Sequence, residues 1–147
     1  MIKKEDIIRI NKFFHKGVLI NENSLDYALE KEEPLDLIAT LTRAILVDHV
    51  FEEGNKRTAA AVILSALESN KIKPDKNSLL RLIISILKNN ITDIEEIKKE
   101  IKPLLKNKEI STLKGFSRNI KKVIENYQDV YQALLDYEFT NIIRKLK

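Results

Sequence analysis

The chain has 147 residues, with 26 Lys and Arg against 22 Asp and Glu, a formal charge of +4, two His, three Gly, three Pro, and neither Cys nor Trp. That length suits one buried core rather than two, and the missing Cys excludes disulfides, thiolate metal sites and a cysteine nucleophile, so any metal is expected on oxygen ligands. The charge is mixed rather than gathered in a basic stripe, which argues against direct nucleic-acid binding. No apolar run reaches the roughly 18 residues of a membrane span, so no membrane association and a cytoplasmic location are expected.

Ile7, Ile8, Ile10, Phe13 and Phe14 recur at helical spacing, which predicts a first helix from about Lys3 that Gly17 stops. Val18-Leu19-Ile20 is β-prone and precedes the turn-favouring Asn21-Glu22-Asn23, so a short hairpin or extended flap is expected there, with Ser24 capping the next helix. Pro34 fits a first helical turn, and Leu37, Ile38, Leu41, Ile45 and Leu46 form one apolar face that leads to His49. From Asn55 onward Ala59 to Leu67 is apolar on nearly every side, the mark of a central buried helix. Lys73-Pro74-Asp75 breaks the pattern before a helix through Leu79 to Ile86, ended by Asn89-Asn90. Thr92 and Glu95 read as a capping box for a helix to about Leu105, strained by Pro103. Two further helices are expected around Ile120–Ile124 and Val130–Ile143. The fold class is therefore all-α around a central buried helix, with at most one short β-hairpin flap.

Between the two firmest helices lies His49-Val50-Phe51-Glu52-Glu53-Gly54-Asn55-Lys56-Arg57-Thr58. A helix N-terminus presents free N–H groups and partial positive charge, so Gly54-Asn55-Lys56-Arg57 opening a buried helix suits phosphate. Arg57 can fork onto phosphate oxygens and the amide of Asn55 can complete the cradle. Glu53 is a hard oxygen ligand suited to Mg2+. His49, an imidazole, can take a proton from a hydroxyl. Phe51 is expected to pin the loop.

The stretch resembles the Fic/Doc (Fido) signature His-x-Phe-x-(Asp/Glu)-(Gly/Ala)-Asn-(Gly/Lys)-Arg, met at His49, Phe51, Glu53, Gly54, Asn55, Lys56 and Arg57. With the flap before it and the Ala-rich helix after it, the region from about Met1 to Leu105 is similar to the small Doc toxins, whereas the tail has no counterpart in the minimal Doc form. The resemblance implies a transferase that uses ATP or another nucleoside triphosphate, with His49 as general base, Glu53 holding Mg2+, and Gly54, Asn55, Lys56 and Arg57 binding the nucleotide. It also implies a protein substrate such as a translation factor, a separate antitoxin or inhibitor chain, and room for a homo-oligomer. Fic-type members mostly transfer AMP, whereas Doc, with Lys where they have Gly, transfers the γ-phosphate. Lys56 favours the Doc branch, and Ala60 stands where Fic members carry a second Arg. Residues 1–106 are expected to form the catalytic domain, with 107–147 a helical extension packed on it.

Blander readings exist for each residue. Alone, His49 would be a helix-end histidine on the dipole and Glu52-Glu53 a solvated turn, and an inactive Fido-fold interaction protein would keep the same pattern. His15 has no acidic partner at useful sequence spacing and reads as structural, while Tyr127, Tyr131 and Tyr137 read as partly buried helix aromatics. Family members are often silenced by a helix bearing Ser/Thr-x-x-x-Glu-(Gly/Asn). Glu125-Asn126 lacks that Ser or Thr, Lys121 standing in its place, so the extension is expected to complete the core or make a subunit contact.

Overall fold

The computed structural model describes residues 1–146. Over these the chain folds into α1 (Lys4–Lys12), α2 (Glu22–Leu29), α3 (Pro34–Leu46), α4 (Asn55–Ser69), α5 (Lys76–Lys88), α6 (Ile94–Ile101), a 3₁₀ turn (Lys102–Leu105), α7 (Phe116–Asn126) and α8 (Gln128–Leu146). Among the described residues no strand or sheet occurs, and the all-α expectation holds.

The centre is α4, every residue of which from Thr58 to Leu67 is buried. It packs against α1, α3, α5, α7 and α8. Ala59, Ala60 and Ala61 are fully buried; their small side chains let neighbouring helices approach closely, while Ile63, Leu64 and Leu67 fill the spaces further along. Each buried Leu or Ile contributes about 1.5–3 kcal/mol relative to exposure. Asn70 secures the far end of α4: its amide donates to the Ala66 and Thr112 carbonyls and accepts from the Ser111 and Thr112 amides. The tail is thereby stitched to the core. On the other flank, Ser117 donates to the Asp6 carboxylate at 2.8 Å and Arg9 donates to the Ser117 carbonyl at 2.6 Å, fixing α7 on α1.

Local chemistry accounts for the ends. Glu33 accepts from the amides of Leu35 and Asp36, capping α3 ahead of Pro34. Asp75 accepts from Ser78 to cap α5, and that N–H holds its carboxyl below the usual range. Three expectations need correction. The second helix starts at Glu22 rather than after Ser24, because Asn21 is the residue at its N-cap and Glu22-Asn23 enter the first turn. Asp93, not Thr92, caps α6 by accepting from Glu95. That helix stops at Ile101 and tightens into the 3₁₀ turn at Pro103, whose ring cannot continue the α-helical ladder. Of the hairpin or extended flap expected around Val18–Asn23, the extended form occurs ahead of α2 and pairs with the motif loop through an antiparallel bridge between Leu19 and Phe51.

Candidate active site

The loop that carries the motif is built between α3 and α4. After the C-cap Val47, the Asp48 carbonyl accepts from Asn21 Nδ2 at 2.9 Å. His49 then takes a left-handed conformation, φ 53°. Such a value is uncommon for a non-glycine residue, and His is among the side chains that tolerate it; it turns the chain so that Val50 and Phe51, both fully buried, plunge into the core. The backbone on either side is held by the flap: the Ile20 amide donates to the Val50 carbonyl at 2.8 Å and the Glu52 amide to the Val18 carbonyl at 3.0 Å. His49 itself stays exposed at the rim.

Gly54, φ 80°, closes the turn as the N-cap of α4. A Cβ there would sit 3.1 Å from Asn11 Nδ2, so glycine serves both conformation and close approach. Asn55 clamps the loop, its Oδ1 accepting from the Phe51 amide at 3.1 Å and its Nδ2 donating to the Phe51 carbonyl at 2.8 Å. The carboxamide expected in the phosphate cradle is thus engaged with backbone, and acts by holding loop shape.

One pocket of 160 Å³ gathers His49, Glu52, Glu53, Gly54, Asn55 and Lys56, walled by Leu46 and Leu87. Larger clefts of 450 and 680 Å³ lie elsewhere, around Lys102 and Asn107 and around Leu29 and Leu113, and contain neither His49 nor the α4 N-terminus. Arg57 is the predicted site residue that the pocket does not contain. Its side chain lies in a neighbouring cleft with Phe13, Phe14 and Tyr131, the guanidinium carbon 5.4 Å from the Phe14 ring centre, and its buried Nε has no hydrogen-bond partner. Tyr131 backs that cleft; burial pushes its phenol well up, and it donates to the Val123 carbonyl at 2.8 Å.

Three contacts escaped sequence reasoning. Asn11, fully buried, donates to the Glu53 carbonyl at 2.9 Å and to Thr58 Oγ1 at 3.0 Å, and accepts from the Gly17 amide at 2.8 Å. A signal existed, since position 11 falls on the apolar stripe of Ile7, Ile10 and Phe14, where an asparagine needs polar partners. His15 has the acidic partner that sequence spacing hid: its Nε2 lies 3.2 Å from a Glu53 carboxylate oxygen. Glu138 of α8 lines the pocket and pairs with Lys56 at 2.8 Å. No local pattern announces a contact across 82 positions. Glu125, by contrast, is exposed on α7 and is not among the residues lining the pocket.

Around this loop the comparison with known proteins is specific: the model of the Fic/DOC family matches residues 5–67, from α1 to the buried length of α4. Residues 5–67 are thus similar to the Fic/DOC family. Comparison with curated proteins and with solved structures gives no match. Members of the Fic/DOC family generally transfer nucleotide or phosphate groups to proteins. A divalent cation, the Mg2+ used by some members of the Fic/DOC family, would find one hard oxygen donor here in Glu53, whose side chain is 68% exposed. Among the described residues no three His, Asp or Glu converge on a metal cage. The donor set therefore fits Mg2+ held by one carboxylate together with substrate phosphates and water, its usual mode in phosphoryl-transfer sites.

Proposed function

We propose that the chain transfers the γ-phosphate of ATP, or of another nucleoside triphosphate, to a hydroxyl of a target protein. The observation that carries the reading is the single pocket in which His49, Glu53, left-handed Gly54 and Lys56 surround the N-terminus of a buried helix. In this reaction His49 takes the proton of the incoming hydroxyl as its oxygen bonds to the γ-phosphorus. The bond from that phosphorus to the β,γ-bridging oxygen breaks and ADP leaves with the electron pair. The free amides at the α4 N-terminus and the Lys56 ammonium take up charge on the phosphate oxygens. Glu53 holds Mg2+, which supplies further charge neutralisation when bound. Val50 and Phe51, buried beneath the loop, keep these groups in register.

Lys56 supports γ-transfer over AMP transfer: it supplies a cation at the start of the helix, where a glycine would leave an open path for the phosphate chain. Position 60 adds no cation, since Ala60 is fully buried. A toxin role, a separate antitoxin chain, a cytoplasmic setting and a catalytic unit of residues 1–106 completed by residues 107–147 belong to the same proposal. Incubation with Mg2+, a cell extract and either α- or γ-labelled ATP tests it. A labelled protein band is expected from γ-label alone. Label from the α-position alone assigns the chain to AMP transfer, and label from neither, with no nucleotide bound, makes it an interaction protein.

A further inference from the structure

Glu53 is the residue on which cation binding depends in the proposed reaction, yet its carboxylate sits on an open turn, and an exposed glutamate samples several rotamers. Two residues outside the motif restrain it. Asn11 Nδ2 donates to its backbone carbonyl at 2.9 Å, and His15 Nε2 lies 3.2 Å from its Oε2. We infer that Asn11 in the last turn of α1 and His15 in the turn that follows it form a positioning element that fixes Glu53 for a divalent cation; the inference rests on the functional reading above.

The geometry explains how one helix end does both jobs. The His15 amide donates to the Asn11 carbonyl at 2.7 Å, so the two side chains stand one helical turn apart on one face. Asn11 cannot rotate without losing bonds to Glu53, Thr58 and Gly17 at once. It thereby locks the motif turn, the start of α4 and the start of the flap to a single amide. Gly54 is what admits this helix end, since a Cβ there would lie 3.1 Å from Asn11 Nδ2 and 3.6 Å from His15 Cβ.

The His15 ring is held as well. Its Nδ1 is buried with no hydrogen-bond partner, and Nε2 is the ring nitrogen that faces the Glu53 carboxylate. The contact engages Oε2 and leaves Oε1 for a cation. Outer donors of this kind orient metal ligands, here with imidazole serving carboxylate.

Mn2+ and the β,γ-methylene analogue of ATP probe the element without turnover, with free Mn2+ read by electron paramagnetic resonance. His15→Ala is expected to weaken Mn2+ binding to the protein–nucleotide complex roughly tenfold, the low end for outer partners of metal ligands. Nucleotide binding without metal and the thermal midpoint are expected to stay at wild-type values, and His15→Gln, which keeps an N–H donor, to recover most of the loss. Wild-type Mn2+ affinity in His15→Ala, or a loss that His15→Gln does not reduce, overturns the inference while leaving the functional reading intact. A wild-type chain that binds neither nucleotide nor Mn2+ overturns both.

Discussion

His49 occupies a backbone conformation that selects among its own replacements. At φ 53° an alanine lacks the local polar contacts that make the left-handed region tolerable, whereas asparagine is at home there. His49→Asn is therefore the clean removal of the proposed base: transfer of label is expected to fall to background while the urea midpoint stays near wild type. His49→Ala is expected to lose transfer and about 1 kcal/mol of stability as well. Transfer at the wild-type rate by His49→Asn would remove His49 from the reaction. Gly54 carries the opposite constraint. Gly54→Ala combines a left-handed Cβ with a 3.1 Å approach to Asn11 Nδ2, so a loss of about 2 kcal/mol is expected in denaturant unfolding; an unchanged midpoint would mean that the loop relaxes freely.

At the scale of elements, α4 sets what the site can and cannot contain. Because Thr58 to Leu67 are all buried, position 60 faces packed side chains rather than the pocket. Ala60→Arg, which would complete the Fic-type pair of arginines on paper, is expected to cost about 3 kcal/mol or more as an uncompensated buried charge, and to create no α-phosphate transfer; a stable variant that transfers AMP would show that the helix end can open. The same helix shows what was legible in sequence. Its all-round apolar pattern from Ala59 to Leu67 identified the hub, and its neighbours' stripes identified α1, α3 and α5, since helical period reports burial directly. Of the motif residues, His49, Glu53, Gly54, Asn55 and Lys56 line one pocket. Less legible was anything decided by a partner distant in sequence. Val18–Ile20 reads as β-prone, yet its partner is Phe51 rather than its own continuation. Asn55 and Arg57 have phosphate-binding chemistry, yet one closes the loop on Phe51 and the other lies against Phe14.

Over the whole molecule, the decisive step is the return of α8 to the motif loop. The tail reads in sequence as amphipathic helices that complete a core, and α7 does so along α4. α8 also brings Glu138 to within 2.8 Å of Lys56, placing a carboxylate on the cation that the proposed reaction needs for phosphate. Both side chains are about one-quarter exposed, 25% and 28%, so the pair is partly screened and such pairs are worth about 1 kcal/mol. In the proposed reaction a nucleotide phosphate would displace that carboxylate, and with Glu52 and Glu53 lining the same pocket the local field would oppose an anion until a cation relieves it. Glu138→Gln keeps the shape and removes the charge; it is expected to tighten ATP binding roughly fivefold, the factor corresponding to about 1 kcal/mol. The gain should vanish in a Lys56→Gly background, because the Glu138 charge then has no partner whose release matters. Isothermal titration of ATP into wild type, both single variants and the double variant measures the coupling. Additive effects would mean that Glu138 acts through the general field of the pocket, and unchanged affinity in Glu138→Gln would mean that phosphate binds without contesting Lys56.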